Sequence, residues 1–127
     1  MKKTKEEIQS YLNEIKELVT VGKYQISNRD KNQQLYIDYV FSEEQCKKII
    51  LDLTVENFSD AVQNEHSKHP EEILYIFGEK VNLLPKQGGE EKTVDLYIKF
   101  NKLNANNSYL IVISFHEQEY PLMYKFT

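Results

Sequence analysis

With 127 residues, 40% of them hydrophobic and 12% aromatic, the chain can close one apolar core; this excludes a disordered tail and suits a single domain over 1–127. Its net charge of −4 is uneven: residues 1–50 hold nine basic and eight acidic side chains, residues 51–127 seven and twelve. An acidic C-terminal part excludes adhesion to nucleic acid through bulk charge and leaves room only for a local basic groove.

No stretch approaches the ~20 apolar residues of a membrane span. The first lysines precede no apolar run of the kind a secretory leader carries. Cys46 is the only cysteine, so no intramolecular disulfide forms, and a reducing, cytoplasmic setting is expected.

Thr4 and Glu7 have capping-box spacing, and Ile8, Tyr11, Leu12, Ile15, Leu18 and Val19 follow at intervals of three and four. They predict an amphipathic helix stopped at Gly22. Tyr24 and Ile26 suit a short extended piece before Ser27 and Asn28 signal another start. Leu35, Tyr36, Tyr39 and Val40 carry a second helical spacing. Ser42 and Gln45 open a third helix with the stripe Cys46, Ile49, Ile50 and Leu53, in which Cys46 reads as a small buried hydrophobe rather than a reactive thiol.

A turn over Thr54–Asn57 leads into a strand. The segment EHSKHPEE that follows holds His66 and His69, a pair that reads as part of a solvated loop because Pro70 opposes a helix and a structural zinc site needs more ligands. Ile73 to Phe77 is a continuous apolar run suited to a buried strand ending at Gly78. Leu83 to Gly89 reads as a long connection. Its GGEEK lacks the Lys-Ser/Thr ending of a phosphate-binding loop.

From Thr93 to Phe126 apolar and polar residues alternate in three runs, predicting an antiparallel meander whose third strand follows Pro121 at an edge. Val94, Leu96, Ile98 and Phe100 face one way; in the second strand Tyr109, Ile111, Ile113 and Phe115 are expected to share that buried face. Tyr97, Lys99, Ser114 and His116 then fall together on the opposite, polar face. Helices before strands give the α+β class, with N-terminal helices packed on one face of a four- to six-stranded, mostly antiparallel sheet.

The order of helices, then LTVENF, a strand, DLYIKF and YLIVISFHE resembles the MqsR family of bacterial toxins, within the wider RelE-like endoribonucleases. The resemblance runs from about Leu18 to Glu117 and is most specific at Leu96–Lys99 and Val112–Phe115. It implies a RelE-like fold, mRNA cleavage without metal or cofactor, and a cognate antitoxin as partner. Neither a membrane nor DNA is an expected partner of this chain alone.

Metal-free cleavage needs a base for the ribose 2′-hydroxyl, an acid for the leaving oxygen, and donors for the phosphorane between them. Tyr97 matches the tyrosine that the family places in this strand, for phosphate contact or proton donation. His116 stands where the family has a lysine after Ser-Phe, and an imidazole suits acid–base work near neutral pH. Lys99 is the cationic candidate. Asp60 and Leu74 depart from the family's functional lysine and glutamine. A non-catalytic module that keeps the same sheet for protein or RNA contact is the alternative.

Overall fold

The computed structural model describes residues 1–65, 68–104 and 107–127. Helix α1 (Lys5–Thr20) begins at Thr4, whose side chain accepts from the Glu7 amide while the Glu7 carboxylate accepts from the Thr4 amide. Ile8, Leu12, Ile15 and Val19 lie fully buried along one face, each contributing about 1.5–3 kcal/mol by leaving water. Truncating Leu12 to alanine would cost a further cavity, roughly 2–5 kcal/mol in all. Gly22 follows with φ +79°, the left-handed conformation that ends many helices.

Strand β1 (Tyr24–Ile26) leads to helix α2 (Asp30–Asp38), strand β2 (Tyr39–Val40) and helix α3 (Glu43–Asp52), which starts on a capping box between Ser42 and Gln45. Cys46 and Ile50 point into the core, and burial pushes the Cys46 thiol up to about 12. A 3₁₀ turn over Val55–Asn57 precedes β3 (Phe58–Gln63), and then come β4 (Ile73–Pro85), β5 (Lys92–Leu103) and β6 (Tyr109–Glu117).

The class is α+β, with three α-helices and a six-stranded mixed sheet among the described residues. Strands run in the order β1-β6-β5-β4-β2, with β3 also on β4; β1 is parallel to β6 and every other pairing is antiparallel. Both β2 and β3 lie against β4, at its opposite ends, so α3 is an excursion between two pieces of chain. The core closes between α1, α3 and one sheet face, where Phe58, Phe77 and Phe100 meet in edge-on contacts at 5.6 and 5.7 Å. No helix is long and apolar enough to cross a membrane.

Several sequence expectations need correction. Helical spacing continues through Tyr39 and Val40, yet these residues pair with Pro85 and Leu84 as strand. Gly78 does not end a strand; β4 passes through it and takes in Leu83, Leu84 and Pro85. Gly78 is there because the C-terminal segment lies on it: a methyl group at that position would overlap the Tyr124 hydroxyl and approach Leu122 Cδ1 to 2.8 Å. That segment, Tyr120–Phe126, is not a third meander strand. It crosses the outer sheet face and turns to β3, where Ser59 Oγ donates to the Met123 carbonyl (2.7 Å) and Phe126 stacks on Phe58 (5.8 Å).

The largest correction is in β6. Tyr109, Ile111 and Ile113 do not share the buried face with Phe115; Leu110 and Val112 are the buried residues. Lys99 pairs with Ser114 and Phe100 with Val112, so Ile113 is an extra residue, a β-bulge that reverses which side chains face inward. Asn32 holds this bulge. Strand β1 leaves β6 after Val112, and the buried Asn32 side chain takes over the edge: Nδ2 donates to the Ile113 carbonyl (3.0 Å) and Oδ1 accepts from the Phe115 amide (2.8 Å). A second Nδ2 bond to the Ser27 carbonyl (2.9 Å) fixes the amide's orientation.

Candidate functional site

The β5–β6 pairing places Tyr97 opposite His116 and Lys99 opposite Ser114, all on the face away from the core. Tyr97 and His116 stack with ring centroids 5.3 Å apart and planes within 15°. The three residues expected from sequence therefore line one cavity, of about 300 Å³, beside Ser114. Of the histidine pair read as part of a solvated loop, His66 lies outside the described residues, and exposed His69 contacts Glu71 at 3.1 Å. Among the described residues no group of three or more metal-ligating side chains is found.

The cavity also holds residues that the strand pattern did not reveal. Arg29, the chain's only arginine, sits at the start of α2, and its Nη1 lies 3.4 Å from Ser114 Oγ. Lys31 enters from the first turn of α2 and pairs with Glu119 of the C-terminal segment. Tyr120, Pro121 and Leu122 complete the lining. A lone arginine just after the polar start Ser27-Asn28 was the available signal for the first; nothing local marks Glu119 or Tyr120.

Electrostatics give the cavity its character. Three cations converge in a protein whose net charge is −4. Burial, then the charges of Arg29 and Lys31, hold Lys99 below the ordinary lysine value. Burial raises the Tyr97 hydroxyl; Arg29 and Lys31 oppose that rise, and Asp60 adds to it. Tyr97 thus keeps its proton and serves as a donor. Glu119 is lowered, chiefly by its hydrogen bond to Lys31 and that lysine's charge, with a smaller part from His116, so it stays ionised.

His116 Nδ1 lies 2.7 Å from the Glu117 carbonyl, an acceptor only, so Nδ1 carries a hydrogen and, in the neutral ring, Nε2 is left as the proton acceptor. Lys80, on the same face, is engaged by Asp95 at 2.8 Å and does not line the cavity. The arrangement can seat an anion, donate to it from Tyr97, Lys99 and Arg29, and accept a proton at His116. No protein-family model matches the chain, and no curated protein or solved structure is significantly similar to it.

Proposed function

We propose that this chain is a metal-independent endoribonuclease of RelE-like architecture, the toxin of a type II toxin–antitoxin pair, cutting mRNA by attack of a ribose 2′-hydroxyl. The observation that carries this reading is the convergence of Arg29, Lys31 and Lys99 on a half-buried Tyr97–His116 stack. Bringing like charges together is unfavourable in the free protein, and a phosphodiester relieves it.

In the reaction His116 Nε2 takes the 2′-hydroxyl proton as the 2′-oxygen attacks phosphorus. The bond from phosphorus to the 5′-oxygen breaks, leaving a 2′,3′-cyclic phosphate. The 5′-oxygen takes a proton from Lys99, whose lowered pKa makes it a better acid than an ordinary lysine. Tyr97 and Arg29 donate to the non-bridging oxygens, where charge develops. A cognate antitoxin and mRNA are the partners this reading requires.

A second reading, a non-catalytic module of the same architecture, is favoured by the Lys31–Glu119 pair, which places a carboxylate inside the anion site. Incubating purified protein with labelled single-stranded RNA in excess chelator separates the two. Fragments with 2′,3′-cyclic phosphate and 5′-hydroxyl ends are expected, together with growth arrest on expression in a bacterial host that His116→Ala with Tyr97→Phe relieves. Binding without cleavage favours the second reading, and neither binding nor cleavage removes the nuclease and leaves only a module for protein contact.

A further inference from the structure

The cavity is lined by two unlike sets of residues. One is cationic, from Arg29, Lys31 and Lys99; the other is Tyr120, Pro121 and Leu122, which offers an aromatic ring and two apolar side chains. A simple anion would use only the first. Tyr120 is 79% exposed, so a ring face stands in water at the rim. Its surroundings are nevertheless fixed. Gln118 donates from its backbone amide to the Asp95 carbonyl (2.8 Å) and from Nε2 to the Leu96 carbonyl (3.0 Å). Glu119 is tied to Lys31, Pro121 restricts the backbone, and Leu122 lies against Gly78. An exposed aromatic on an anchored stem loses little freedom on binding, which is the condition for a stacking platform.

We infer that the cavity takes one nucleotide of a single-stranded nucleic acid, the phosphate against Arg29, Lys31 and Lys99 and the base stacked on Tyr120. This deepens the ribonuclease reading by naming how its substrate is held, and it rests on that reading for the choice of polymer. About 300 Å³ lies at the small end of ligand cavities and suits one nucleotide rather than a stack. Bases within a duplex keep their faces covered by neighbours, so the platform selects single strands.

The test measures binding, not cleavage, using a fluorescently labelled 2′-fluoro RNA oligonucleotide that lacks the attacking hydroxyl. Tyr120→Ala should weaken binding ~5- to 150-fold and Tyr120→Phe should leave it near wild type. Replacing bases by abasic units should weaken wild-type binding by a similar factor and Tyr120→Ala binding hardly at all. Arg29→Gln should flatten the salt dependence, which Tyr120→Ala should not change. Equal binding of single strand and duplex, or unchanged binding in Tyr120→Ala, overturns the inference. If the oligonucleotide binds as expected while unmodified RNA is not cut, catalysis fails and this inference stands.

Discussion

Two cavities in this molecule invite comparison, and the larger is the less informative. Near the start of α1 a cleft of about 870 Å³ is walled by Glu6, Glu7, Glu14, Glu71 and Glu72. Four of these carboxylates already serve the fold: Glu7 caps α1, Glu14 pairs with Lys102, Glu71 with His69, and Glu72 accepts from Asn64 (3.0 Å) and Asn101 (3.1 Å). The smaller basic cavity differs in kind. The Lys99 side chain, half-buried there, makes no hydrogen bond or ion pair among the described residues, and both neighbours that perturb it carry its own sign. Size alone therefore does not single out a site. A half-buried charge that the fold leaves without a partner, as at Lys99, is the better guide.

The contrast breaks most visibly at His116. His116→Ala should lower RNA cleavage by ~10²- to 10⁴-fold, the usual worth of a positioned acid–base group, whereas Glu14→Gln in the acidic cleft should leave it unchanged. Equal loss in both would return the acidic cleft to consideration. Next comes the support of the basic cavity. Asn32→Ala leaves the Ile113 carbonyl and the Phe115 amide without their partner, and should cost roughly 2–4 kcal/mol in denaturant unfolding, together with most of the activity.

A smaller loss is expected from Gly78→Ala, about 1–3 kcal/mol, because its methyl group must push Tyr124 and Leu122 aside. The same variant should weaken oligonucleotide binding, since the moved segment carries Tyr120. A stability loss with unchanged binding would uncouple that segment from the cavity.

The mildest effect sharpens the comparison by titration. Inorganic phosphate at ten times its Kd should stabilise the protein by about 1.4 kcal/mol if it fills the basic cavity. Lys99 has a folded value below 10.5, so between its folded and unfolded values the unfolded chain binds more protons, and this group makes stability rise with pH. Bound phosphate favours the protonated lysine. Its stabilisation should therefore begin to fade below the ordinary lysine range, and Lys99→Arg should extend it to higher pH, as thermal unfolding with and without phosphate will reveal.

Much of this was legible in the sequence where the causes are local. The capping boxes at Thr4 and Ser42, the stripes of α1 and α3, the burial of Cys46 and the shared face of Tyr97, Lys99, Ser114 and His116 follow from spacing alone. What was not legible depends on distant contacts. The chain stops being helical at Tyr39 because β4 offers a ladder there, and Gly78 looks like a breaker until the C-terminal segment is seen on top of it. Alternation in YPLMYKF suggested a strand, but backbone bonding to β3, from the Lys125 amide to the Phe58 carbonyl, is a single contact at 3.2 Å. Arg29 and Lys31 reach the cavity from α2, more than sixty residues from Tyr97, a distance no periodicity spans.

Strict alternation in β6 would have paired Phe115 with Ile113 and Ile111 in the core. That alternation holds only beyond the extra residue, where Ser114 and His116 face Lys99 and Tyr97; before it, Leu110 and Val112 face the core instead. This gives Ile113 a meaning in terms of sequence change. Removing that one codon would leave Val112, Ser114, Phe115 and His116 in plain alternation, with Ser114 and His116 still outward and Phe115 inward, but it would take away the Ile113 carbonyl that Asn32 holds. Substitutions at 113 are buffered by its partial exposure, since Asn32 holds its backbone carbonyl and not its side chain. Among diverging copies of this chain, the extra residue at 113 and the Asn32 that holds it should accordingly be kept or lost together.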